Sequence, residues 1–113
     1  MNIYEQKRYT RIDDMNNKIL EVLSDKIYRD VLIYLAREPR SISDIIRSFG
    51  IPKSTAYRMV NKLQELNLVK ISSSMINKKG RRTFMYISKI KKIDLILEAN
   101  GLAINIEYNK LED

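Results

Sequence analysis

The residues best suited to chemistry in this chain are hydroxyl, amide and cationic side chains that follow a proline. On a helix they would lie on one side, opposite the small or aliphatic Ala56, Val60 and Leu63. Side chains of these types donate hydrogen bonds to phosphate oxygens and to the edges of nucleic-acid bases. The members of this face are Lys53, Ser54, Thr55, Tyr57, Arg58, Asn61 and Lys62.

Each type predicts a different contact. Arg58 can bind guanine through two hydrogen bonds, and Asn61 can pair with adenine or reach a phosphate. Ser54 and Thr55 lie near the expected helix N-terminus, where exposed N–H groups favour an anion. Tyr57 can stack, or donate its hydroxyl to the backbone. Any exposed helix face can carry such residues, so the neighbouring elements must decide whether the face is functional.

A second cationic cluster lies about twenty residues further along. Asn77-Lys78-Lys79-Gly80 suits a type I turn with Gly80 in the left-handed position. The turn carries four cations, Lys78, Lys79, Arg81 and Arg82. They could contact a nucleic-acid backbone, or they could form a solvated turn that blocks edge-to-edge aggregation. Four charges in five residues exceed what the second role requires, which favours the first. Lys89, Lys91 and Lys92 fit a solvated strand edge better.

The charge of the whole chain supports an anionic partner. The net charge is +7, and residues 37–92 contain 14 Lys or Arg against 3 Asp or Glu. The remaining residues contain 7 against 11. A basic centre between acidic ends favours one surface for nucleic acid. An anionic membrane is the second possibility, but no basic amphipathic helix with Trp or Phe anchors supports it.

The amino-acid composition also argues against several other classes of function. At 113 residues we expect a single domain, residues 1–113. The chain has no His and no Cys, and no phosphate-binding loop, dinucleotide fingerprint or zinc motif. We therefore expect no enzyme, no cofactor and no metal. The lack of cysteine, of a signal peptide and of a spanning segment fits a cytoplasmic protein.

Four helices should position the two clusters. The first follows an N-terminal arm and covers residues 10–24, with Thr10 as its cap and an apolar seam of Ile12, Met15, Ile19 and Val22. Ser24-Asp25 signals the start of the second, which runs to about Arg37. Its expected buried stripe is Ile27, Val31, Leu32 and Leu35.

The third and fourth helices are separated by a tight turn. Ser43 should cap the third helix with Asp44 in its first turn, and its inward residues are Ile45, Ile46 and Phe49. Gly50 should end it, and Pro52 should lie at or near the start of the fourth. The fourth helix buries Ala56, Val60, Leu63 and Leu66, and Asn67 can adopt the left-handed conformation after it.

Two β-hairpins complete the chain. The turn at Asn77–Gly80 predicts that Ile71 pairs with Tyr86 and Ser73 with Phe84. Asn100-Gly101 is a strong hairpin signal. A turn centred on it pairs Leu97 with Ile104, Leu95 with Ile106 and Ile93 with Tyr108. All three pairs are apolar.

The order of these elements resembles the winged-helix transcription regulators. The resemblance rests on Val31-Leu32-x-x-Leu35, Ser41-Ile42-Ser43-Asp44-Ile45, the run Gly50-Ile51-Pro52-Lys53-Ser54-Thr55-Ala56-Tyr57-Arg58, and Leu63-x-x-Leu66-Asn67-Leu68-Val69. The arsenic-repressor-like (ArsR) and multiple-antibiotic-resistance-like (MarR) groups, particularly small archaeal members, look most similar. The resemblance implies an α+β fold with a winged helix-turn-helix core at residues 25–88. Residues 10–24 are then an extra helix and 89–113 a C-terminal hairpin.

Two departures from those groups affect function. Relatives that sense metals use Cys or His, so sensing of a soft metal through such ligands is excluded here. Many relatives end in a dimerising helix, whereas this chain ends in a predicted hairpin. We expect a homodimer, because a two-fold protein usually matches a palindromic DNA site. Whether residues 10–24 or the hairpin would form its interface stays open.

The resemblance therefore implies a regulator that binds double-stranded DNA at specific sequences. We expect a repressor, which would act by blocking access of the polymerase to the DNA. The recognition helix would be about residues 52–66, in the major groove, with a wing at 77–82 on the backbone or in the minor groove. The alternative is a winged helix used for protein–protein interaction in a transcription or chromatin assembly. That function predicts an apolar patch on the recognition face, where the sequence has cationic and polar residues. No aromatic-rich sheet motif supports RNA binding.

Overall fold

The computed structural model describes residues 11–110, with side chains from residue 14 onward. It contains four helices, α1 (Arg11–Ser24), α2 (Lys26–Arg37), α3 (Ile42–Phe49) and α4 (Lys53–Glu65). Two antiparallel hairpins follow, one of β1 (Val69–Ile76) and β2 (Arg82–Ser88), and one of β3 (Ile90–Glu98) and β4 (Gly101–Tyr108). The predicted arm, the Thr10 cap and the side chain of Ile12 lie outside the described residues.

The first two helices meet at a short corner. The carboxylate of Asp25 accepts a hydrogen bond from the N–H of Ile27, at 2.9 Å, which confirms the predicted start of α2. In α1, Ile19 and Val22 are buried, whereas Met15 is exposed. Only the second half of the predicted seam therefore belongs to the core of this chain.

The buried stripe of α2 differs from the prediction at one position. Val31, Leu32 and Leu35 are buried, but 44% of Ile27 is exposed, so its assignment to the core was wrong. In a helix of 3.6 residues per turn, side chains four residues apart point in directions that differ by about 40° around the helix axis. Over the eight residues to Leu35 this difference turns Ile27 away from the core. Tyr28 packs against the core in its place.

The start of α3 also differs, because Ser41 and not Ser43 is its cap. The N–H of Asp44 donates to the hydroxyl of Ser41 at 3.1 Å, and the N–H of Ser41 donates to the Asp44 carboxylate at 3.0 Å. This capping box needs an acid three residues after the cap, which Ser41 has and Ser43 lacks. The helix consequently begins at Ile42, and Ser43 is an exposed residue of its first turn.

The capping box makes part of the stability depend on pH. The N–H of Ser41 is the main reason that the pKa of Asp44 lies below its ordinary value near 3.8, with partial burial opposing it. Because the folded chain favours the ionised carboxylate, the contribution of Asp44 to the free energy of unfolding is fully present at pH values above its ordinary pKa. The contribution is lost as the pH falls through the lower pKa of the folded state.

We expect Asp44→Asn to lower the free energy of unfolding at about pH 7, and expect the difference from the wild type to shrink at about pH 3. Denaturant titrations at both pH values measure this. Ser41→Ala, which removes the other half of the box, should cost about 0.5–2 kcal/mol. An equal effect of Asp44→Asn at both pH values would contradict a role for the charge.

The turn between α3 and α4 follows the prediction. Gly50 is left-handed, with φ of 61°, and its N–H donates to the carbonyl of Ile46 at 2.9 Å. Pro52 directly precedes α4, whose buried residues are Ala56, Met59, Val60 and Leu63. Asn67 is left-handed, with φ of 62°, as its predicted role at the helix end requires.

The hairpin of β1 and β2 is the wing, and the backbone attaches it to the helices. Arg40 and Tyr86 exchange two backbone hydrogen bonds, of 2.9 and 2.8 Å, so the segment before α3 lies beside β2. Ile71 pairs with Tyr86 as predicted, but the register then shifts, and Phe84 lies opposite Ser74 instead of Ser73. The predicted Ser73–Phe84 pair was therefore wrong. A bulge inserts one residue into a strand, and the alternation of apolar and polar residues in this sequence did not indicate where it would occur.

The C-terminal hairpin exists as predicted, with its turn one residue earlier. Glu98 pairs with Gly101, so Ala99 and Asn100 form the turn. The observed pairs are Leu97–Leu102, Leu95–Ile104 and Ile93–Ile106, and the predicted pairs, each displaced by two residues on β4, were wrong. A shift of two keeps every side chain on its face, so the apolar pattern fits both registers equally well.

Hydrogen bonds at two places add to the apolar packing that holds this hairpin to the rest of the fold. The Asn16 side chain on α1 donates to the carbonyl of Leu102, at 3.4 Å. At the hairpin base, the Asn67 side chain accepts from Lys89 Nζ and donates to the Tyr108 hydroxyl. The N–H of Lys89 also donates to the carbonyl of Leu68, at 2.9 Å. The end of α4 is therefore connected directly to the base of the C-terminal hairpin.

Candidate nucleic-acid interface

The structure brings together the predicted residues of α4. Lys53, Ser54, Tyr57, Arg58 and Asn61 are exposed, whereas Thr55 and Lys62 are half-buried. The opposite side of the helix is fully packed into the core. The core therefore fixes which side of α4 faces outward, and that side carries the hydrogen-bond donors.

The start of α4 adds backbone donors to this face. Pro52 precedes the helix with φ of −62°, and its side chain makes no capping hydrogen bond. The first N–H groups of a helix have no partner within the helix, and the helix dipole places partial positive charge there. With Lys53 and Ser54 exposed beside them, these groups suit a phosphate.

Tyr57 lies between two depressions on this side of the molecule. It lines both of them, and Lys53 Nζ lies 6.0 Å from the centre of its ring, within the range of a cation–π contact. The aromatic side chain therefore separates a larger groove toward α1 and α2 from a smaller cleft toward the wing.

The larger depression, which we call the helix groove, has a volume of about 740 Å³. One wall belongs to α4 and includes Arg58 and Asn61, and the other includes Glu21 and Tyr28. Burial raises the pKa of Tyr28, and the positive charge of Arg58 opposes the rise. Arg58 and Tyr28 therefore lie on opposite walls of the helix groove. Sequence reasoning missed Glu21 and Tyr28 because they lie on other helices.

The smaller cleft joins the start of α3 to the wing. It has a volume of about 120 Å³, and its lining includes the polar residues Ser43, Tyr57, Arg82 and Thr83. Arg82 is thus the wing cation next to α4, and its guanidinium donates to the Ser74 hydroxyl at 2.8 Å. Ser43 and Thr83 were missed, although a serine in the first turn of a helix could have signalled a phosphate contact.

The tip of the wing is ordered by Asn77. Its side-chain oxygen accepts from the N–H groups of Lys79 and Arg81, both at 2.9 Å, and Gly80 is left-handed with φ of 77°. All four predicted cations of the wing are exposed. Lys78, Lys79 and Arg81 are at the tip, whereas Arg82 is in β2 beside α4. The structure therefore connects the two predicted clusters through Arg82.

The described residues contain neither a candidate metal site nor a membrane-spanning helix. Among the side chains of residues 14–110, no group of three or more acidic side chains could hold a metal ion. Over the same range, none of the helices combines the length and the apolar character that a membrane crossing requires.

Comparison with known proteins identifies a helix-turn-helix segment within this chain. Residues 29–71 match the family model described as the IclR helix-turn-helix domain, which covers less than half of the chain. The solved structure of NolR from Sinorhizobium fredii matches with a TM-score of 0.58 and 16% identity, over 80% of this chain and 81% of that one. No curated protein matches the sequence.

The fold is a winged helix-turn-helix. The matched segment runs from α2 through the whole of α4, so it contains both helices of the helix-turn-helix, α3 and α4. The match to the IclR helix-turn-helix model supports a DNA-binding transcription regulator. They do not support the closer resemblance to the ArsR or MarR groups or to archaeal members.

Proposed function

We propose that this protein is a regulator that binds double-stranded DNA at specific sequences, with α4 in the major groove. The observation that carries the proposal is the outward face of α4, where Arg58 and Asn61 line an open groove and the helix start is uncapped. The major groove admits a helix and distinguishes all four base pairs. On this proposal Arg58 and Asn61 bind base edges, and Lys53, Ser54 and Thr55 bind phosphates, with Tyr57 and Lys62 at the margins of the contact.

The wing would supply contacts that do not depend on sequence. Its exposed cations would bind the sugar–phosphate backbone or enter the minor groove. Contacts to phosphates fix the position of a protein on the duplex, whereas contacts to bases specify the sequence. Because Arg82 lies in the cleft beside α4, the wing can bind a DNA strand next to the major groove that α4 would occupy.

We also propose that binding to DNA blocks access of the polymerase, which makes the protein a repressor.

A protein–protein interaction module remains the competing function. It requires an apolar surface on the recognition face. The exposed residues of α4 are instead mostly cationic or polar, with Tyr57 as the large aromatic exception. This favours DNA as the partner.

Selection of bound sequences from a random pool of duplexes, repeated at two salt concentrations, tests the proposed function. We expect one short motif to be enriched at both concentrations, with less bound DNA at the higher one. Recovery of an unenriched pool would contradict specific recognition. Failure to retain any duplex at low salt would contradict DNA binding altogether.

We further propose that the protein binds as a homodimer, which makes the salt dependence steep. If each chain neutralises about four phosphates, the slope of log affinity against log salt is about −7, since each phosphate contributes about −0.9. A single bound chain would give roughly half that slope. Fluorescence anisotropy over a series of salt concentrations measures it, and a slope near zero would exclude the phosphate contacts.

A further inference from the structure

The C-terminal hairpin has an apolar face that the core covers only in part. Ile93, Ile104 and Ile106 pack against the core near the base of the hairpin. Toward the tip, Leu95 is exposed, and Leu97 is exposed over 83% of its surface. The pairing places Leu95 and Leu97 on the same face as the packed residues. The hairpin therefore carries an uncovered leucine at its end.

An apolar groove lies near the base of the same hairpin, between α2 and β3. Its volume is about 310 Å³, and its apolar lining is Leu23, Leu32, Ile33, Ala36, Ile90 and Ile93. Ile33 is 55% exposed although it is on a helix that packs into the core. We call this depression the base groove. A contiguous apolar surface of this kind commonly marks an interaction site.

Charges around these two features are complementary. Arg29, Lys91 and Lys92 line the base groove, whereas the strand around Leu97 carries Asp94 and Glu98. Lys91 and Lys92 form ion pairs within the chain, of 3.5 Å to Glu107 and 3.7 Å to Asp94. Exposed pairs of this kind contribute little energy, so they can be exchanged for pairs with another chain. The hairpin is thus acidic toward its tip and basic at its base.

We propose that a second copy of this chain occupies the base groove, with Leu97 of each chain inserted into the groove of the other. Leu97 is four residues from Ile93 and seven from Ile90, which corresponds to roughly 14–24 Å along the strand. Two hairpins that lie antiparallel about a two-fold axis near Leu95 place each tip over the base of the other. The axis repeats the same contact, so the assembly closes at two chains.

The available surface is adequate for such a dimer. The hairpin extends for roughly 27 Å, and with the adjacent side of α2 the surface is roughly 20 Å wide. Each chain would therefore bury roughly 500–600 Å², which is near the lower limit for a stable interface. We expect a dimer that dissociates on dilution. This inference supplies the interface of the homodimer proposed above.

Sedimentation of the full chain without DNA is the first test. At sufficient concentration we expect a species of twice the 13.3 kDa chain mass. Leu97→Lys brings a cation to the basic groove and should raise the dissociation constant at least tenfold. Because Leu97 is largely exposed in the single chain, its replacement should leave thermal unfolding of the monomer unchanged. Ile76→Lys is the matched control on the wing, where Ile76 is 67% exposed, and should leave the dimer intact.

Disulfide crosslinking tests the geometry, because the chain has no cysteine of its own. An equal mixture of Leu97→Cys and Ile33→Cys chains should give a crosslinked product that contains one of each under mild oxidation. Each variant alone should give little product, since the two tips lie at opposite ends of the interface. Disulfides form only when the two Cβ atoms come within about 4.5 Å of each other.

Three outcomes would overturn the proposed interface. A monomer at every concentration would leave the base groove to a partner of another kind. A dimer that Leu97→Lys does not weaken would use a different surface, and crosslinking of Leu97→Cys with itself would indicate a tip-to-tip arrangement. None of these measurements contains DNA, so their failure is separate from failure of the proposed DNA binding.

Discussion

Arg58→Ala is expected to weaken binding to a selected DNA site by about 1–3 kcal/mol and to relax the preference at one base position. The side chain is exposed on α4 and lines the helix groove, where its planar guanidinium can bind the two acceptors of a guanine. Loss of both hydrogen bonds removes most of the discrimination at that base pair. Anisotropy titrations against the selected duplex and its single-base variants measure both effects.

Lys79→Ala is the control for Arg58→Ala, because it should remove a phosphate contact instead of a base contact. Lys79 is at the exposed tip of the wing, where its N–H bonds to Asn77 and its side chain extends into solvent. A phosphate contact contributes equally to every sequence, so this variant should weaken all duplexes alike. The salt slope should become shallower by about 1 for each bound chain, and therefore by about 2 for the proposed dimer. Unchanged affinity and base preference in Arg58→Ala would show that α4 does not read bases through this residue.

Leu63→Ala is expected to lower the free energy of unfolding by about 2–5 kcal/mol. Leu63 has no exposed surface and lies in the core beneath α4, which also contains Val60, Leu35 and Leu68. Removal of its side chain leaves a cavity that rigid neighbours fill only in part. Since small domains are stable by only about 5–15 kcal/mol, this loss is a large fraction of the total. Urea denaturation followed by circular dichroism measures it.

Ile76→Ala provides the control for that experiment. Ile76 is a large apolar residue at the end of β1, but two thirds of its surface is exposed. Its truncation should change stability by less than about 0.5 kcal/mol. Equal losses in the two variants would contradict the assignment of the core to the inner side of α4.

The sequence was sufficient to predict the elements whose signals are local. Gly50 and Asn67 adopt the left-handed conformations expected at the ends of α3 and α4, and the turn at Asn77 forms as predicted. The buried side of α4 follows from the spacing of its apolar residues. These features depend on a few neighbouring residues, and the physical chemistry of a single side chain decides them.

The features that the sequence did not predict depend on residues far apart or on competing local signals. Ser41 and Ser43 are both possible caps, and only the bond with Asp44 selects Ser41. The register of the C-terminal hairpin was predicted wrongly, because two turns preserve the same apolar faces and the Asn100-Gly101 signal selected the other one. The candidate site was predicted only on α4 and the wing. Tyr28 and Glu21 join it because the packing of α1 and α2 brings them across from Arg58.

The contact among Asn67, Lys89 and Tyr108 has a mechanical consequence. It links the end of α4 to the hairpin, because Asn67 adopts the left-handed conformation after α4 and its side chain binds Lys89 and Tyr108 at the base of the hairpin. In the dimer proposed above, the orientation of α4 relative to the hairpin would set the separation of the two copies of α4. Adjacent half-sites on one side of a duplex are about 34 Å apart. The permitted spacing between half-sites would then be controlled by a corner of the molecule that itself touches no base.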